Sequence, residues 1–265
     1  MRCRLWIFAA ALASCRTTPT SVETPPTTAL ATAPPREQAA DLHILFLGNS
    51  HTAFHDLPDM VVAMVRAARP NSTIEPTLAP GWLFLDERAH DPATLRLLRE
   101  RRWDVVVLQA QRYSTSGRYT YSTAGAESLI QLAREAHALP ILFPEWPRHG
   151  VAETDRIYDL HVGIAAREPA CVAPIGQAWD LARAVYPDLV LHADDGNHST
   201  RAGAYLAALV LAATITDTSP AELDVQLPQF GVPFDVQVRL RSIAARAVLA
   251  TPTRTGCPAD AHSRM

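Results

Sequence analysis

Residues 42–50 read LHILFLGNS, an apolar run interrupted by one histidine and followed by a glycine-containing turn that ends in a serine. A short apolar run bounded by turn residues is typical of a strand that is buried on both faces of a parallel sheet. The pattern therefore predicts a first strand over residues 42–47. It places Ser50 just beyond the carboxyl end of that strand.

Helix-like segments alternate with further strand-like segments along the chain. Residues 57–68 have helical spacing with a proline in the first turn, and residues 103–108 read WDVVVL, whose β-branched centre is typical of a central strand. Parallel strands need crossover connections, so the alternation predicts an α/β domain with three layers, α/β/α, around a parallel sheet. Further strands are expected near residues 73–78, 140–143 and 171–174, and further helices near 92–101, 124–137, 153–167, 176–185, 200–214 and 234–249.

Polar residues follow several of the predicted strands. Residues 109–111 read QAQ and follow one strand, and Glu145 and Trp146 follow the next one. In an open α/β sheet, ligands bind outside the carboxyl ends of the strands. We therefore expect these side chains to converge with Ser50 on one rim of the sheet.

A polar segment near the end of the chain supplies the partners that a serine nucleophile needs. Residues 194–200 read DDGNHST and precede a predicted helix. A serine hydroxyl is a poor nucleophile until a base takes its proton, and that base is commonly a histidine oriented by a carboxylate. Asp194 or Asp195, together with His198, provides both groups. The nucleophile elbow Gly-x-Ser-x-Gly does not occur around Ser50, which argues against an ordinary α/β-hydrolase.

Two blocks of the sequence resemble the SGNH (GDSL-like) hydrolases. Residues 48–52, GNSHT, look like the first block of that family, and Asp195-x-x-His198 looks like its last block. The resemblance covers nearly all of the domain and implies a flavodoxin-like three-layer fold and a serine esterase. It makes Ser50 the nucleophile and His198 the base, and the spacing of the family selects Asp195 over Asp194 as the residue that orients His198.

The resemblance also implies an oxyanion hole with three donors: the backbone N–H of the serine, a glycine N–H and a side-chain amide. Ser50 supplies the first, and Gly81 is the candidate for the second, with an ordinary turn glycine as the alternative. The third block of this chain departs from the usual Gly-x-Asn-Asp pattern. Gln111 stands where the amide is expected, with Gln109 as the alternative. Such a block resembles those of uncharacterised SGNH subgroups and carbohydrate acetylesterases that contain glutamine.

The first residues predict that the protein is exported. A basic start precedes residues 5–12, LWIFAAAL, an apolar run too short to span a bilayer as a permanent helix. Residues 12–15, LASC, resemble the lipobox at which a bacterial signal peptidase cuts, so Cys15 is expected to carry lipid. The alternative is an ordinary secretory peptide in which this cysteine is incidental.

These features divide the chain into four parts. The protein is expected in the bacterial cell envelope, either periplasmic or on the cell surface, and in contact with the membrane through the lipid on Cys15 only. The composition after this cysteine, rich in Thr, Pro, Ala and Ser, is typical of a disordered tether. The predicted parts are a lipoprotein signal peptide at 1–15, the tether at 16–39, the hydrolase domain at 40–250 and a C-terminal tail at 251–265.

Export and tethering, the glutamines of the third block and Trp146 favour one substrate class. An aromatic face beside a catalytic cleft often stacks on a sugar, so Trp146 and Glu145 are candidate substrate-binding residues, with simple packing as the alternative for the tryptophan. We therefore expect the O-deacetylation of an envelope or extracellular carbohydrate. A lipase-like or thioesterase-like enzyme is an alternative. A catalytically inactive SGNH fold that serves as a surface binding module is another, although no triad residue is missing.

Charge and composition limit the partners. The formal net charge is −3 and the basic residues are dispersed, which argues against a nucleic-acid partner because phosphate binding needs clustered Lys and Arg. The acyl-enzyme reaction needs no cofactor. His51 and His55 are spaced like a metal-binding pair, but Pro58 places the helix start after them and no HExxH motif supports a zinc hydrolase. No metal is expected.

Two of the four cysteines belong to the mature domain. Cys3 is lost with the predicted signal peptide and Cys15 is modified, which leaves Cys171 and Cys257. In an oxidising compartment, this pair fits a disulfide that ties the C-terminal tail to the domain. Two free thiols fit the sequence equally well.

Overall fold

A parallel sheet of five strands lies at the centre of the computed structural model, which describes residues 42–223 and 225–259. The strands are β1 Leu42–Leu47, β2 Ile74–Leu78, β3 Val105–Leu108, β4 Leu139–Leu142 and β5 Cys171–Val172. Their order across the sheet is β2–β1–β3–β4–β5. The strand order therefore reverses at β1, which pairs with β2 on one side and with β3 on the other. Such a switch point leaves a crevice in which open α/β sheets bind their ligands.

Helices cover both faces of this sheet. The α-helices are α1 Ser50–Ala53, α2 Leu57–Ala68, α3 Leu85–Arg88, α4 Pro92–Glu100, α5 Ala124–Glu135, α6 Thr154–Arg167, α7 Ile175–Val185, α8 Arg201–Thr216 and α9 Phe234–Ala250. Single 3-10 turns occur at Phe54–Asp56, Pro220–Glu222 and Pro228–Phe230.

Two apolar cores form because successive side chains of a strand point to opposite faces. In β1, Ile44 and Phe46 pack with α2, α7, α8 and α9 on one face. Leu45 and Leu47 pack with α4, α5 and α6 on the other face. The predicted fold class, a three-layer α/β/α domain with a parallel sheet, is confirmed.

Helix α8 is buried along almost its whole length. Every residue from Gly203 to Ile215 is buried, because the helix packs against α2, α7 and α9. This position explains why its sequence is apolar on all sides. None of the helices within the described residues has both the length and the apolar character needed to cross a bilayer.

The observed elements differ from the predicted ones in two ways. Strand β5 has two residues where four were expected, because the chain turns at Ala173, whose carbonyl accepts from the N–H of Ile175, and then enters α7. Helices α1 and α3, with four residues each, lie where the sequence predicted no helix, because one turn is too short to show a period. The predicted signal peptide with Cys15, the tether at 16–39 and residues 260–265 of the tail lie outside the described residues.

The first part of the C-terminal tail is tied to the edge of the sheet. Cys171 in β5 forms a disulfide with Cys257, so the structure selects the disulfide over two free thiols. The N–H of Val172 also donates to the carbonyl of Thr255 at 3.1 Å. The tail therefore covers the exposed edge of β5, which limits pairing with another chain.

We expect loss of this disulfide to lower the free energy of unfolding by about 2–5 kcal/mol, because a cross-link between distant residues restricts the unfolded chain. Urea unfolding of the double variant Cys171→Ser/Cys257→Ser against the wild type measures the effect. Reductant should lower the wild-type midpoint to that of the double variant and leave the variant unchanged. A wild-type midpoint that does not respond to reduction of the bond would contradict this expectation.

Candidate active site

Ser50 begins helix α1 directly after the turn that ends β1. The turn requires glycine at position 48, because an added Cβ would lie 2.2 Å from Oγ1 of Thr52 and 2.6 Å from Oε1 of Gln109. Asn49 then caps α1, since its Oδ1 accepts from the N–H of His51 at 3.0 Å. This close packing fixes the conformation of the turn and therefore the direction in which the Ser50 hydroxyl points.

The structure brings Ser50, His198 and Asp195 together in one chain of hydrogen bonds. Oγ of Ser50 lies 2.9 Å from Nε2 of His198, although 148 positions separate the two residues. Nδ1 of the same ring lies 2.5 Å from Oδ2 of Asp195. A ring held by a carboxylate at Nδ1 presents Nε2 to the hydroxyl as an acceptor. Asp194, the alternative carboxylate, lines a separate cavity beside His149 and His192.

Hydrogen bonds hold the pKa of the Asp195 carboxyl well below its usual range. The largest contribution comes from the His198 ring, followed by the backbone N–H groups of Asn197 and His198, which donate to Oδ1 at 2.9 Å each. The carboxylate therefore stays ionised through neutral and mildly acidic pH. It can orient the ring and stabilise a positive charge on it.

A small hairpin-like loop carries His198. His192 and Ser199 form an antiparallel bridge, and the N–H of Ala193 donates to the carbonyl of His198 at 2.8 Å. Gly196 occupies the left-handed region at φ 67°, which lets the loop reverse direction. Thr200 then caps the N-terminus of the buried helix α8. His198 is thus anchored to the most deeply buried helix of the domain.

Gln109 holds the segment on both sides of Ser50. Its side chain is fully buried, and Oε1 accepts from the N–H of Asn49 at 2.8 Å and from the hydroxyl of Thr52 at 3.0 Å. Its Nε2 donates to Oε1 of Glu145 at 2.5 Å. Gln109 therefore links the ends of β1, β3 and β4 rather than facing the crevice.

The side-chain amide of Gln111 is hydrogen-bonded to the backbone of its own loop. Its Nε2 donates to the carbonyls of Arg112 and Ser122 at 2.9 and 3.1 Å, so both amide hydrogens have acceptors. Between the two glutamines, Ala110 has a left-handed backbone at φ 79°, which turns their side chains in different directions. The structure therefore contradicts the prediction that Gln111, or Gln109 as its alternative, supplies the side-chain donor of an oxyanion hole.

Gly81 is tied to the nucleophile turn by a buried arginine. Nη2 of Arg88 donates to the carbonyls of Gly81 at 2.8 Å and Gly48 at 2.6 Å. Gly81 has a left-handed backbone at φ 78°, which favours glycine. The guanidinium therefore sets the distance between the loop after β2 and the turn that carries Ser50.

Trp146 does not face the crevice. Its ring is 2% exposed and stacks on Trp179 with a centroid distance of 4.6 Å, and its Nε1 donates to the carbonyl of Asn197 at 2.9 Å. The predicted contact of Trp146 with substrate is therefore wrong, because both the ring and its polar edge are occupied inside the protein. The residue instead supports the loop that carries His198.

A different tryptophan is exposed beside the site. Trp82 follows Gly81, is 63% exposed and packs edge-on against Phe54 with a centroid distance of 5.7 Å. Phe54 in turn contacts the ring of His198 at 4.9 Å. Trp82 is therefore an exposed ring one aromatic residue away from His198, and such a ring is a surface that a ligand can cover.

A cavity of about 390 Å³ opens over Ser50 and His198. Glu145 lies in its wall, as predicted from its place after β4. The two arginines of the wall have acidic partners: Arg112 pairs with Asp86 and Glu87, and Arg148 lies 3.5 Å from Glu153. Tyrosine and asparagine complete a mostly polar wall, with the lining formed by Asn49, Ser50, His51, Phe84, Gln111, Arg112, Tyr113, Tyr121, Glu145, Arg148, Asn197 and His198.

The histidine pair that suggested a zinc site has other partners. Nδ1 of His51 lies 3.3 Å from Oδ1 of Asn49, and Nε2 of His55 lies 2.8 Å from the carbonyl of Ser199. In the part of the chain that the structure describes, no three side chains of His, Cys, Asp or Glu meet as metal ligands.

Comparison with solved structures identifies the fold. A protein from Slackia heliotrinireducens that is assigned to the SGNH hydrolases is 28% identical, with a TM-score of 0.53; the match covers 65% of this chain and 97% of that one. A DUF4886 family protein from Bacteroides uniformis is 16% identical, with a TM-score of 0.61, and the match covers 79% and 95% of the two chains. No family model matches the sequence, and no curated protein matches it significantly.

The chain thus has the fold of the SGNH hydrolases. At the level of enzyme class, this likeness supports the prediction of a hydrolase. The DUF4886 structure supports the fold alone.

Several residues of the site carried no signal in the sequence. Arg88 lies in a single helical turn, and nothing in its neighbours indicates that its charge is buried. Phe54 stands in a single 3-10 turn and Trp82 in a loop, and neither is long enough for a period to show which way a side chain points. Only the position of Trp82 next to the candidate Gly81 pointed to the site.

Proposed function

We propose that this protein is an exported serine esterase that cleaves a carboxylic ester through an acyl-enzyme, with Ser50, His198 and Asp195 as its catalytic triad. The observation that carries the proposal is the continuous path from Oγ of Ser50 through the imidazole of His198 to the carboxylate of Asp195, at 2.9 and 2.5 Å. The same series of hydrogen bonds, from the nucleophile to the base and from the base to the orienting acid, defines serine hydrolases of the triad type.

The reaction has two steps. Nε2 of His198 takes the proton of Ser50 as Oγ attacks the carbonyl carbon of the ester, and the tetrahedral intermediate collapses with loss of the alcohol, which receives that proton from His198. Water then attacks the carbonyl carbon of the acyl-enzyme as it gives a proton to the same Nε2. The second intermediate releases the acid, and the proton returns to Oγ of Ser50. No cofactor takes part in either step.

The oxyanion that forms in each step needs preorganised donors, and removal of one such donor typically costs about 3–4 kcal/mol of transition-state stabilisation. We propose the backbone N–H groups of Ser50 and Gly81 for this role. The bonds from Arg88 to the carbonyls of Gly48 and Gly81 support the assignment, because one buried group joins the turn before Ser50 to the loop that contains Gly81.

We expect Ser50→Ala to reduce kcat for p-nitrophenyl acetate by at least 1000-fold, since the nucleophile is lost while the fold is kept. Ester hydrolysis by the purified protein, with and without EDTA, measures this. Ser72→Ala, which changes a serine before the amino end of β2, at the opposite end of the parallel strands from Ser50, is the matched control and should be fully active. Activity that survives Ser50→Ala but is lost with EDTA would replace the triad by a metal mechanism. No activity of the wild type on any ester would favour a binding module.

The shape and polarity of the cavity favour a short acyl group on a polar alcohol. A volume of about 390 Å³ with a polar wall does not provide a long apolar channel, which a lipase-like or thioesterase-like enzyme would need. Glu145 offers an acceptor for hydroxyl groups. Arg112 and Arg148 already have carboxylate partners, so an anionic substrate gains little from them. We therefore propose an O-acetylated carbohydrate as the substrate.

Trp82 is our candidate for the surface on which the sugar ring stacks, in place of the buried Trp146. Trp82→Ala should raise KM for an O-acetylated oligosaccharide by about 2- to 10-fold, the equivalent of the 0.5–1.5 kcal/mol of an aromatic contact. The value of kcat/KM for p-nitrophenyl acetate, which has no sugar ring, should change much less. Phe234→Ala, an exposed aromatic residue at the start of α9, is the control and should alter neither substrate. Equal losses on both substrates would contradict the stacking role.

We further propose that Cys15 carries the lipid that holds the enzyme in the cell envelope. The apolar run and lipobox-like residues 12–15 support this, and the tether at 16–39 would give the domain reach. In a bacterial host, Cys15→Ser should move the protein from the membrane fraction to the soluble fraction, and incorporation of labelled fatty acid should be lost. A protein that stays soluble and unlabelled with Cys15 intact would indicate an ordinary secretory signal.

A further inference from the structure

The ring of His198 is in contact with two aromatic rings from the segment that follows the nucleophile. The ring of Phe54 lies 4.9 Å from it at an interplanar angle of 31°, and the ring of His51 lies 5.1 Å from it at 30°. The two tilted ring contacts restrict rotation of the imidazole about its side-chain bonds. His198 is therefore packed against the short segment that begins with Ser50.

The next residue of that segment holds the backbone of the loop. Nε2 of His55 lies 2.8 Å from the carbonyl of Ser199, and a carbonyl can only accept, so His55 carries its proton on Nε2 and donates it. Asp56 adds a weak charge contact, with Oδ2 at 3.9 Å from Nη1 of Arg201. The two residues therefore hold the loop immediately after His198.

These contacts depend on an unfavourable backbone conformation. His55 and Asp56 both have left-handed φ values, 60° and 58°, although neither is glycine. Such a conformation is unfavourable for a residue with a side chain and persists only where the surroundings enforce it. The unfavourable backbone conformation is therefore found at the residue whose side chain binds the carbonyl of Ser199.

We infer that Phe54 and His55 are positioning residues, which hold the imidazole of His198 at the angle that the reaction of Ser50 needs. The inference rests on the proposed esterase function. Asp195 alone is a loose support, because its side chain is half-exposed and belongs to the same loop as His198. Phe54 and His55 connect this loop to the nucleophile side of the crevice. They are not part of the cavity wall over Ser50, so they act on the base and not on the bound ester.

Paired variants of His55 separate the bond from the backbone. Asn tolerates the left-handed conformation, but its amide is too short to reach Ser199, whereas the amide nitrogen of Gln extends about as far as Nε2 of His. His55→Asn should lower kcat for p-nitrophenyl acetate by about 10- to 100-fold with little change in KM, the range expected when a catalytic group is misplaced. His55→Gln should restore most of that loss.

Variants of Phe54 test the packed ring. Phe54→Tyr keeps the flat face and should stay within about 2-fold of the wild type, while Phe54→Leu should lower kcat by about 10-fold. The rate at which a fluorophosphonate labels Ser50 should fall in parallel, because it depends on the same base. His137→Asn is the matched control: His137 is an exposed histidine with φ 61°, and it lies at the amino end of β4, away from the crevice. It should label at the wild-type rate.

The outcomes distinguish this inference from the proposed function. If the wild type hydrolyses the ester and labels at Ser50, the esterase stands, and equal kcat values for His55→Asn, His55→Gln and the wild type would overturn the positioning role. A rise in KM without a fall in kcat would overturn it too, as would a kcat loss in His55→Asn that His55→Gln does not restore. A thermal melt of each variant verifies that the measured protein is folded. An inactive, unlabelled wild type would instead refute the esterase.

Discussion

The turn at the carboxyl end of β1 depends on how closely buried polar groups approach it. There is no room for a side chain at Gly48, because Thr52 and Gln109 lie against its Cα. Its carbonyl accepts from Arg88, and the N–H of the following Asn49 donates to Gln109. These close contacts restrict the backbone of the turn to one conformation, and Ser50 follows directly after the turn. Loss of any of these partners would leave a buried polar group without a hydrogen bond, which lowers the free energy of unfolding by about 1–3 kcal/mol.

The second half of the site comes from the far end of the chain. His198 precedes α8, and α8 packs against α2, the long helix that follows the nucleophile. Burial of α8 along nearly its whole length brings the two segments together, and it does so through apolar surface that has no part in the chemistry. The stability of this packed helix pair therefore determines how well the base stays opposite Ser50. The hydrogen bonds of the site act only once that packing is in place.

The polar groups around the crevice have partners before any substrate arrives. Glu145 accepts from Gln109, Arg112 has two carboxylates, and Tyr113 donates to Glu153 at 3.2 Å. Burial, and then the charges of Glu145 and Glu153, raise the pKa of Tyr113, so its phenol stays protonated. A wall of paired groups is already organised and loses little freedom when a ligand binds. The paired charges are consistent with the neutral, hydroxyl-rich substrate that we propose.

The sequence by itself determined the α/β class, most of the helices and strands, and the three residues that the structure places in one hydrogen-bonded path. Apolar runs and helical periods report burial directly, and the polar residues after strands follow from parallel topology. Only the tertiary structure decided the roles of the glutamines, the exposure of Trp82 and the burial of Trp146. Those depend on local backbone angles, such as the left-handed Ala110, and on which surfaces meet across long distances in the chain. The Cys171–Cys257 bond is the same kind of case, because composition counts cysteines but only the fold places them side by side.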